Sequence, residues 1–322
     1  MTGCTASSGT TKLTALLVVL AFLLGVETMA QDMQVTWERV SEKAAFSPRD
    51  TAEPFVFQDH MWLSNGYYHG NKLSRDLWKS TDGNTWTQVS DATPYDGYSE
   101  MVVFKDRIWA VKKSVWSSAD GVTWDKVLDK TPFGVRGYGE LVVFKGRMWQ
   151  LGCGADVWST ADGKTWTCVQ KSAPYGKRAA SAVTVFQNKL WLFGGRTSRQ
   201  NDPPEQGYKQ FTTFQDVWCS GDGVQWTRVV EKAPWPRRMW FPVMVYRDKL
   251  WLLGGYDNAN KRNVGDVWCS DDGKQWRKGV ATGEVFSGRH EPSCYIFADA
   301  LWLVAGNAWP VQSDVWCLKL AK

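Results

Sequence analysis

The chain has 322 residues, 43% of them hydrophobic and 22% charged, with 21 Trp; this excludes a disordered chain and supplies ample apolar surface for a core. The net charge of +5 comes from Lys and Arg scattered among Asp and Glu. A nucleic-acid binder would cluster its bases on one face, so no nucleic-acid partner is expected.

In chain order, the first element is the apolar run of residues 13–26, which follows Lys12 and precedes Thr28, Met29 and Ala30. It is too short to span a bilayer. A small residue before Ala30 and the polar Gln31 after it predict a signal peptide, residues 1–30, cleaved after Ala30. The expectation is therefore a secreted or periplasmic protein with no stable membrane span after cleavage. Residues 31–322 then form a single domain, because repeat units build one body.

From there the chain repeats itself. "DVWCSGDGVQW" at Asp216 and "DVWCSDDGKQW" at Asp266 have variants at Asp76, Ser114 and Asp156, and a truncated copy begins at Asp314. Three Trp columns follow. The "DVW" column holds Trp78, Trp116, Trp158, Trp218, Trp268 and Trp316. The column closing "DGxxW" holds Trp86, Trp124, Trp166, Trp226 and Trp276, and its missing member, Trp37, stands at the other end of the chain in "VTWERV". The third column holds Trp62, Trp109, Trp149, Trp191, Trp251 and Trp302.

Between the columns lie short alternating strands with tight turns, such as "AVTVF", "LWLFGG", "DVWCS" and "QWTRVV". Four strands per unit, with a period of roughly 50 residues, is the pattern of a β-propeller blade. The fold class predicted is all-β, a six-bladed propeller whose ring is closed by the N-terminal strand completing the last blade. In "SxDGxxW" the Asp accepts backbone N–H groups, the Gly supplies a positive φ and the Trp covers the sheet, so the motif is structural.

Strands ending "LWLFGG" and "LWLLGG", each preceded by an Arg thirteen residues before its Trp, resemble the kelch repeat, and the match covers essentially all of the mature chain. The Arg column reads Arg49, Asp96, Arg136, Arg178, Arg238 and Arg289, so one unit departs from it. The "SxDGxxW" hairpin resembles a shortened Asp-box. The resemblance implies a kelch-type propeller, a family of folds that includes protein-binding modules, sialic-acid mutarotases and galactose oxidase. Only three His are present, and His60 falls on a turn at the face opposite the loops of interest, so a two-His copper site is not expected. The six Cys of the mature chain lack zinc spacing, and those after "DVW" occupy equivalent places too far apart to pair, so they read as buried thiols. No metal or cofactor is expected.

The loops between the second and third strands vary most, and the fourth unit carries a long excursion there, "RTSRQNDPPEQGYKQFTTFQ". By the kelch resemblance these loops share a face with the segments entering each first strand. The column eleven residues before the third-column Trp reads Thr51, Tyr98, Tyr138, Ala180, Trp240 and Glu291 and borders the central mouth. Candidate ligand-binding residues are Tyr98, Tyr138, Trp240, Arg289, His290, Glu291, Glu53, Glu100 and Glu140. Tyr and Trp suit stacking on a sugar or gripping a peptide, and Arg suits a carboxylate. Glu53, Glu100 and Glu140 share one column and either pair with the Arg column or converge on the channel. A catalytic role would fall to Glu291, His290 or Glu140. The reading is a monomeric binding module for a protein or glycan; the alternative is a carbohydrate-active enzyme of the sialic-acid mutarotase (N-acetylneuraminate epimerase) type. Nothing in the residues requires catalysis.

Overall fold

The computed structural model describes residues 33–68, 72–197 and 211–320, together with Met1 and Gly3. The leader and the centre of the long fourth-unit excursion lie outside these residues. Among the described residues every regular element is a strand, and no helix is long and apolar enough to cross a membrane.

The strands build a β-propeller. Glu53–Phe57, His60–Tyr68, Lys72–Ser80 and Thr87–Ser90 pair antiparallel in that order, with the short strand Arg49–Asp50 added to the outer end of His60–Tyr68. The same order recurs from Glu100–Phe104 to Asp125–Leu128, from Glu140–Phe144 to Thr167–Gln170, and from Ala182–Phe186 to Thr227–Val230. The remaining strands form one eight-stranded sheet. Val243–Tyr246, Lys249–Leu253, Val267–Ser270 and Arg277–Thr282 make one half; Ser293–Phe297, Ala300–Asn307, Val311–Lys319 and Met33–Ser41 make the other. The halves join where Met33–Thr36 runs parallel to Gly279–Thr282. The count of six drawn from the sequence corresponds to cutting this sheet at that junction. Four blades stand as separate sheets.

The strand Met33–Ser41 pairs antiparallel with Val311–Lys319, setting Trp37 opposite Leu318. The last sheet thus takes its outer strand from the other end of the chain, and the inner strand Ser293–Phe297 packs beside Glu53–Phe57. An edge that would otherwise offer unpaired N–H and C=O groups is covered.

Every hairpin between the first two strands of a unit turns on two residues with positive φ, for example Gln187 (47°) and Asn188 (55°), as a two-residue turn matched to strand twist requires. Trp191 donates its indole N–H to Phe186 O across that hairpin at 2.9 Å, and Trp62, Trp109, Trp149, Trp251 and Trp302 repeat the bond. In the "DG" turns Asp222 Oδ1 accepts the N–H groups of Val224 and Gln225, both at 2.8 Å, while Trp226 Nε1 donates to Gly223 O at 3.1 Å. The Gly has a second function besides its φ. A Cβ on Gly121 would stand 2.6 Å from the Trp62 ring of the preceding unit, so glycine is what lets neighbouring blades close on each other.

A further aromatic column, with no counterpart among the three Trp columns, fixes the segment entering each blade to the Trp before that blade's outer strand. Phe46 packs on Trp86, Tyr95 on Trp124, Phe133 on Trp166, Tyr175 on Trp226 and Trp235 on Trp276, mostly edge to face at about 5 Å. Phe286 packs on Trp37 at 5.0 Å, so Trp37 occupies the same structural place as its column partners although it comes from the opposite end of the chain.

The Arg column is structural within each blade. Arg178 is buried and forks onto Asp216 at 2.8 and 3.1 Å, while its Nη1 also donates to Gly194 O. The Asp216 carboxylate in turn accepts Trp218 Nε1 at 2.7 Å. Arg49–Asp76, Arg136–Asp156, Arg238–Asp266 and Arg289–Asp314 repeat the arrangement. Each pair ties the segment entering the first strand of a blade to the third strand of the same blade, or to the residue just before it. The second unit, which has Asp96 in place of Arg, also has Ser114 in place of Asp; Ser114 Oγ keeps the indole bond, accepting Trp116 Nε1 at 2.9 Å. Both partners of the pair are lost together.

Candidate functional site

The segments that enter the first strands and the loops after the second strands lie at one face, as bridges such as Met239 with Tyr256 and His290 with Asn307 show. There the column Thr51, Tyr98, Tyr138, Ala180, Trp240 and Glu291 forms an inner rim. All six residues have φ between 50° and 62°, a left-handed conformation that costs L-residues energy and that clusters at functional sites. Backbone bonds hold it. Ala180 N donates to Tyr138 O at 2.9 Å, Trp240 N to Ala180 O at 3.3 Å and Glu291 N to Trp240 O at 2.9 Å, so the rim is laced from blade to blade.

The rings of the rim make a continuous arc. Tyr67 meets Tyr98 at 4.7 Å, Tyr98 meets Tyr138 at 5.9 Å, Tyr138 meets Trp240 at 5.8 Å, Trp240 meets His290 at 5.3 Å, and His290 meets Trp309 at 5.3 Å. Trp309 is half exposed, whereas Trp240 is buried to 7%. The Tyr98 hydroxyl is buried without a hydrogen-bond partner. Arg196, at the described start of the long excursion, lies over the Phe211 ring at 3.9 Å and the Tyr138 ring at 5.7 Å, and Lys112 lies over the Tyr98 ring at 4.8 Å.

Inside the rim is a cavity of about 340 Å³, within the size range of small-ligand sites. Glu53, Glu100, Glu140 and Glu291 line it along with Tyr98, Tyr138 and Trp240. Seven of the nine residues singled out from the sequence therefore share one cavity. Arg289 does not line it, being committed to Asp314, Ala305 O and Ser287. His290 stands just behind Trp240, outside the lining.

The four glutamates do not pair with the Arg column, whose guanidinium groups are taken by aspartates. Burial pushes the Glu53 carboxyl up to about 7. Burial, with the Glu53 charge beside it, pushes Glu100 up to about 8 against the lowering bond from Gln150, whose Nε2 donates to Glu100 Oε2 at 3.0 Å. Glu140 is raised well above its ordinary value by burial and by its two carboxyl neighbours. Burial and the charge of Asp50 bring Glu291 to about 8 against the hydroxyl bond from Thr51, at 2.6 Å. Burial alone lowers His290 to about 4. Near neutral pH the cavity thus holds carboxyls able to give or take a proton, with a neutral imidazole just outside the lining.

The six cysteines of the described chain are free thiols, four of them buried.

The family model for the KLHDC2/KLHL20/DRC7 Kelch-repeats domain matches residues 135–322. The chain belongs to this kelch-repeat family. Comparison with the curated proteins gives no match. Among solved structures, the kelch chain resembles one titled "Structure of YjhT", with a TM-score of 0.66 and 14% identity over 88% of this chain and 97% of that one. At that identity the likeness bears on the fold alone, and the kelch propeller described above is the fold it shares.

Several rim residues had no column to reveal them. Tyr67, Arg196, Tyr256 and Trp309 lie between the Trp columns of the second and third strands, where the segments differ in length and register between units is lost. Their only signal was the length and aromatic content of those segments.

Proposed function

We propose that this kelch propeller is a non-catalytic binding module whose ligand, a glycan or a peptide segment of a protein, docks on the aromatic arc over the cavity. The observation that carries the reading is the arc itself. Rings from separate blades converge on one mouth, Tyr98, Tyr138 and Trp240 from one strained rim position, and the side chains at that position differ from blade to blade. Stacked rings supply apolar area at low entropic cost, and the protonated carboxyls beneath them offer directed hydrogen bonds to hydroxyl or amide groups. The signal-peptide pattern of residues 1–30 supports action outside the cytoplasm, and N-terminal sequencing of exported protein should then begin at Gln31.

The test is a glycan and peptide array probed with the mature chain and with Tyr98→Ala/Tyr138→Ala. Both side chains are half buried, so their truncation costs little, whereas Trp240 is packed against Met239, Ala180 and Tyr256 and its truncation would confuse folding with binding. Specific spots that vanish with the double variant, at unchanged melting temperature, support the reading. Spots retained at full strength refute it.

The pairing of Glu291, titrating near neutrality, with a neutral His290 favours a second reading, an enzyme of the sialic-acid mutarotase type in which a carboxyl moves the proton that opens and closes a sugar ring. The Arg column is committed to aspartates and does not supply the contact to a substrate carboxylate. Acceleration of N-acetylneuraminate anomer exchange by NMR, lost in Glu291→Gln, would establish this reading in place of the first.

A further inference from the structure

We propose that Asp50, His290 and Glu291 form a binding site for one divalent first-row transition-metal cation, such as Mn²⁺ or Zn²⁺, at the edge of the cavity. A carboxylate oxygen of Asp50, a carboxylate oxygen of Glu291 and a ring nitrogen of His290 lie within 4.8 Å of one another. Metal bonds of about 2.0–2.2 Å require the three groups to close by about 1 Å, a small side-chain rotation.

The surroundings prepare these groups to be ligands. Asn263 Nδ2 donates to Asn307 O at 2.8 Å, which turns Asn263 Oδ1 toward His290 Nδ1, 2.7 Å away. An amide oxygen only accepts, so Nδ1 carries the hydrogen and Nε2 keeps its lone pair. Among the described residues no hydrogen bond reaches Nε2, although His290 is 5% exposed. A buried imidazole held at one nitrogen by a second residue is the arrangement that orients metal-binding histidines. The carboxylates are oriented too. Asn307 Nδ2 donates to Asp50 Oδ2 at 2.8 Å, while the Thr51 hydroxyl lies 2.9 Å from Asp50 Oδ1 and 2.6 Å from Glu291 Oε2. One hydroxyl proton cannot serve both oxygens, so one of the two contacts is made with a carboxyl proton, and Arg289, next in the chain, is spent on Asp314. A divalent cation takes the place of that proton. One nitrogen and two oxygens suit Mn²⁺, Fe²⁺, Co²⁺ or Zn²⁺ and not Ca²⁺ or Mg²⁺, which favour all-oxygen shells. Three protein ligands also leave positions open on the side of Glu291 that faces the cavity.

The experiment titrates chelator-treated, desalted mature chain with Mn²⁺ by calorimetry and by thermal shift; Mn²⁺ is chosen because free thiols compete for Zn²⁺. The expected result is one ion per chain, a raised melting temperature, and affinity weakened at least about tenfold in His290→Gln and in Glu291→Gln. His60→Gln, on the opposite face, leaves affinity unchanged. Should either site variant fail to fold, pulsed EPR of wild-type protein loaded with Mn²⁺ decides, because a bound imidazole gives nitrogen coupling. Absence of stoichiometric binding, binding unchanged in His290→Gln, or loaded protein without nitrogen coupling overturns the proposal.

Discussion

Glu100→Gln should make the protein more stable near neutral pH and flatten its response to pH. Glu100 titrates near 8 in the folded chain and near 4.3 when unfolded. Between these values the folded state holds a proton that the unfolded state has released, so stability falls as pH rises. The slope is about 1.4 kcal/mol per pH unit for one such group. His290, lowered to about 4, works in the opposite sense, but only up to the unfolded histidine value of about 6.5. The aspartates of the Arg pairs and the turns are lowered below the usual carboxylate range, so their windows close well below pH 6. The interval from pH 6.5 to 7.5 therefore isolates the raised glutamates. Over it Glu100 alone removes about 1 kcal/mol or slightly more, and Glu291 acts in the same direction. Glutamine keeps an acceptor for Gln150 Nε2 and has no charge to desolvate. Urea denaturation at three pH values in this interval, followed by Trp fluorescence under reducing conditions, should show wild-type stability falling and the variant falling less steeply. A wild-type stability that is flat or rising, or an unchanged slope in the variant, would refute the buried-carboxyl account.

Asp216→Ser leaves Arg178 buried without its carboxylate and should cost about 3–5 kcal/mol; Arg178→Leu/Asp216→Ser should cost less than the sum of the single changes, since the second blade lacks both partners, and a double-mutant cycle in urea measures the difference. Gly121→Ala sets a methyl group against the Trp62 ring at a positive φ and should lower stability by more than about 2 kcal/mol in the same assay. Deleting residues 31–40 uncovers the edge of Val311–Lys319 and removes the seat of Phe286 on Trp37, so light scattering should report aggregation and the melting temperature should drop sharply.

Much of the fold was legible because packing repeats. Each blade needs a Trp over its first hairpin, a Trp after its "DG" turn and a Gly against the neighbouring ring, and these needs recur as short motifs from unit to unit between Trp62 and Trp302. The displaced Trp37 was legible for the same reason. The Arg partners were harder to see, because Arg178 and Asp216 lie in columns separated by a loop of variable length; the joint departure at Asp96 and Ser114 was the available clue. The shared position of Glu53, Glu100 and Glu140 was readable, but their burial without an Arg ion pair among the described residues was not, since spacing does not reveal which carboxylates the guanidinium groups choose. The group formed by Asp50, His290 and Glu291 joins residues 241 positions apart in the first and last units, a proximity that ring closure creates and no local motif records.

The central claim, that ligand meets the aromatic arc, is tested most directly by ¹⁹F NMR of protein labelled with 5-fluorotryptophan, the Trp240 and Trp309 signals being assigned from Trp240→Phe and Trp309→Phe. On adding a compound selected from the array, these two signals should shift while those of Trp218 and Trp268, in the third strands of their blades, stay in place. Shifts confined to the third-strand signals, with Trp240 and Trp309 unmoved, would contradict the account.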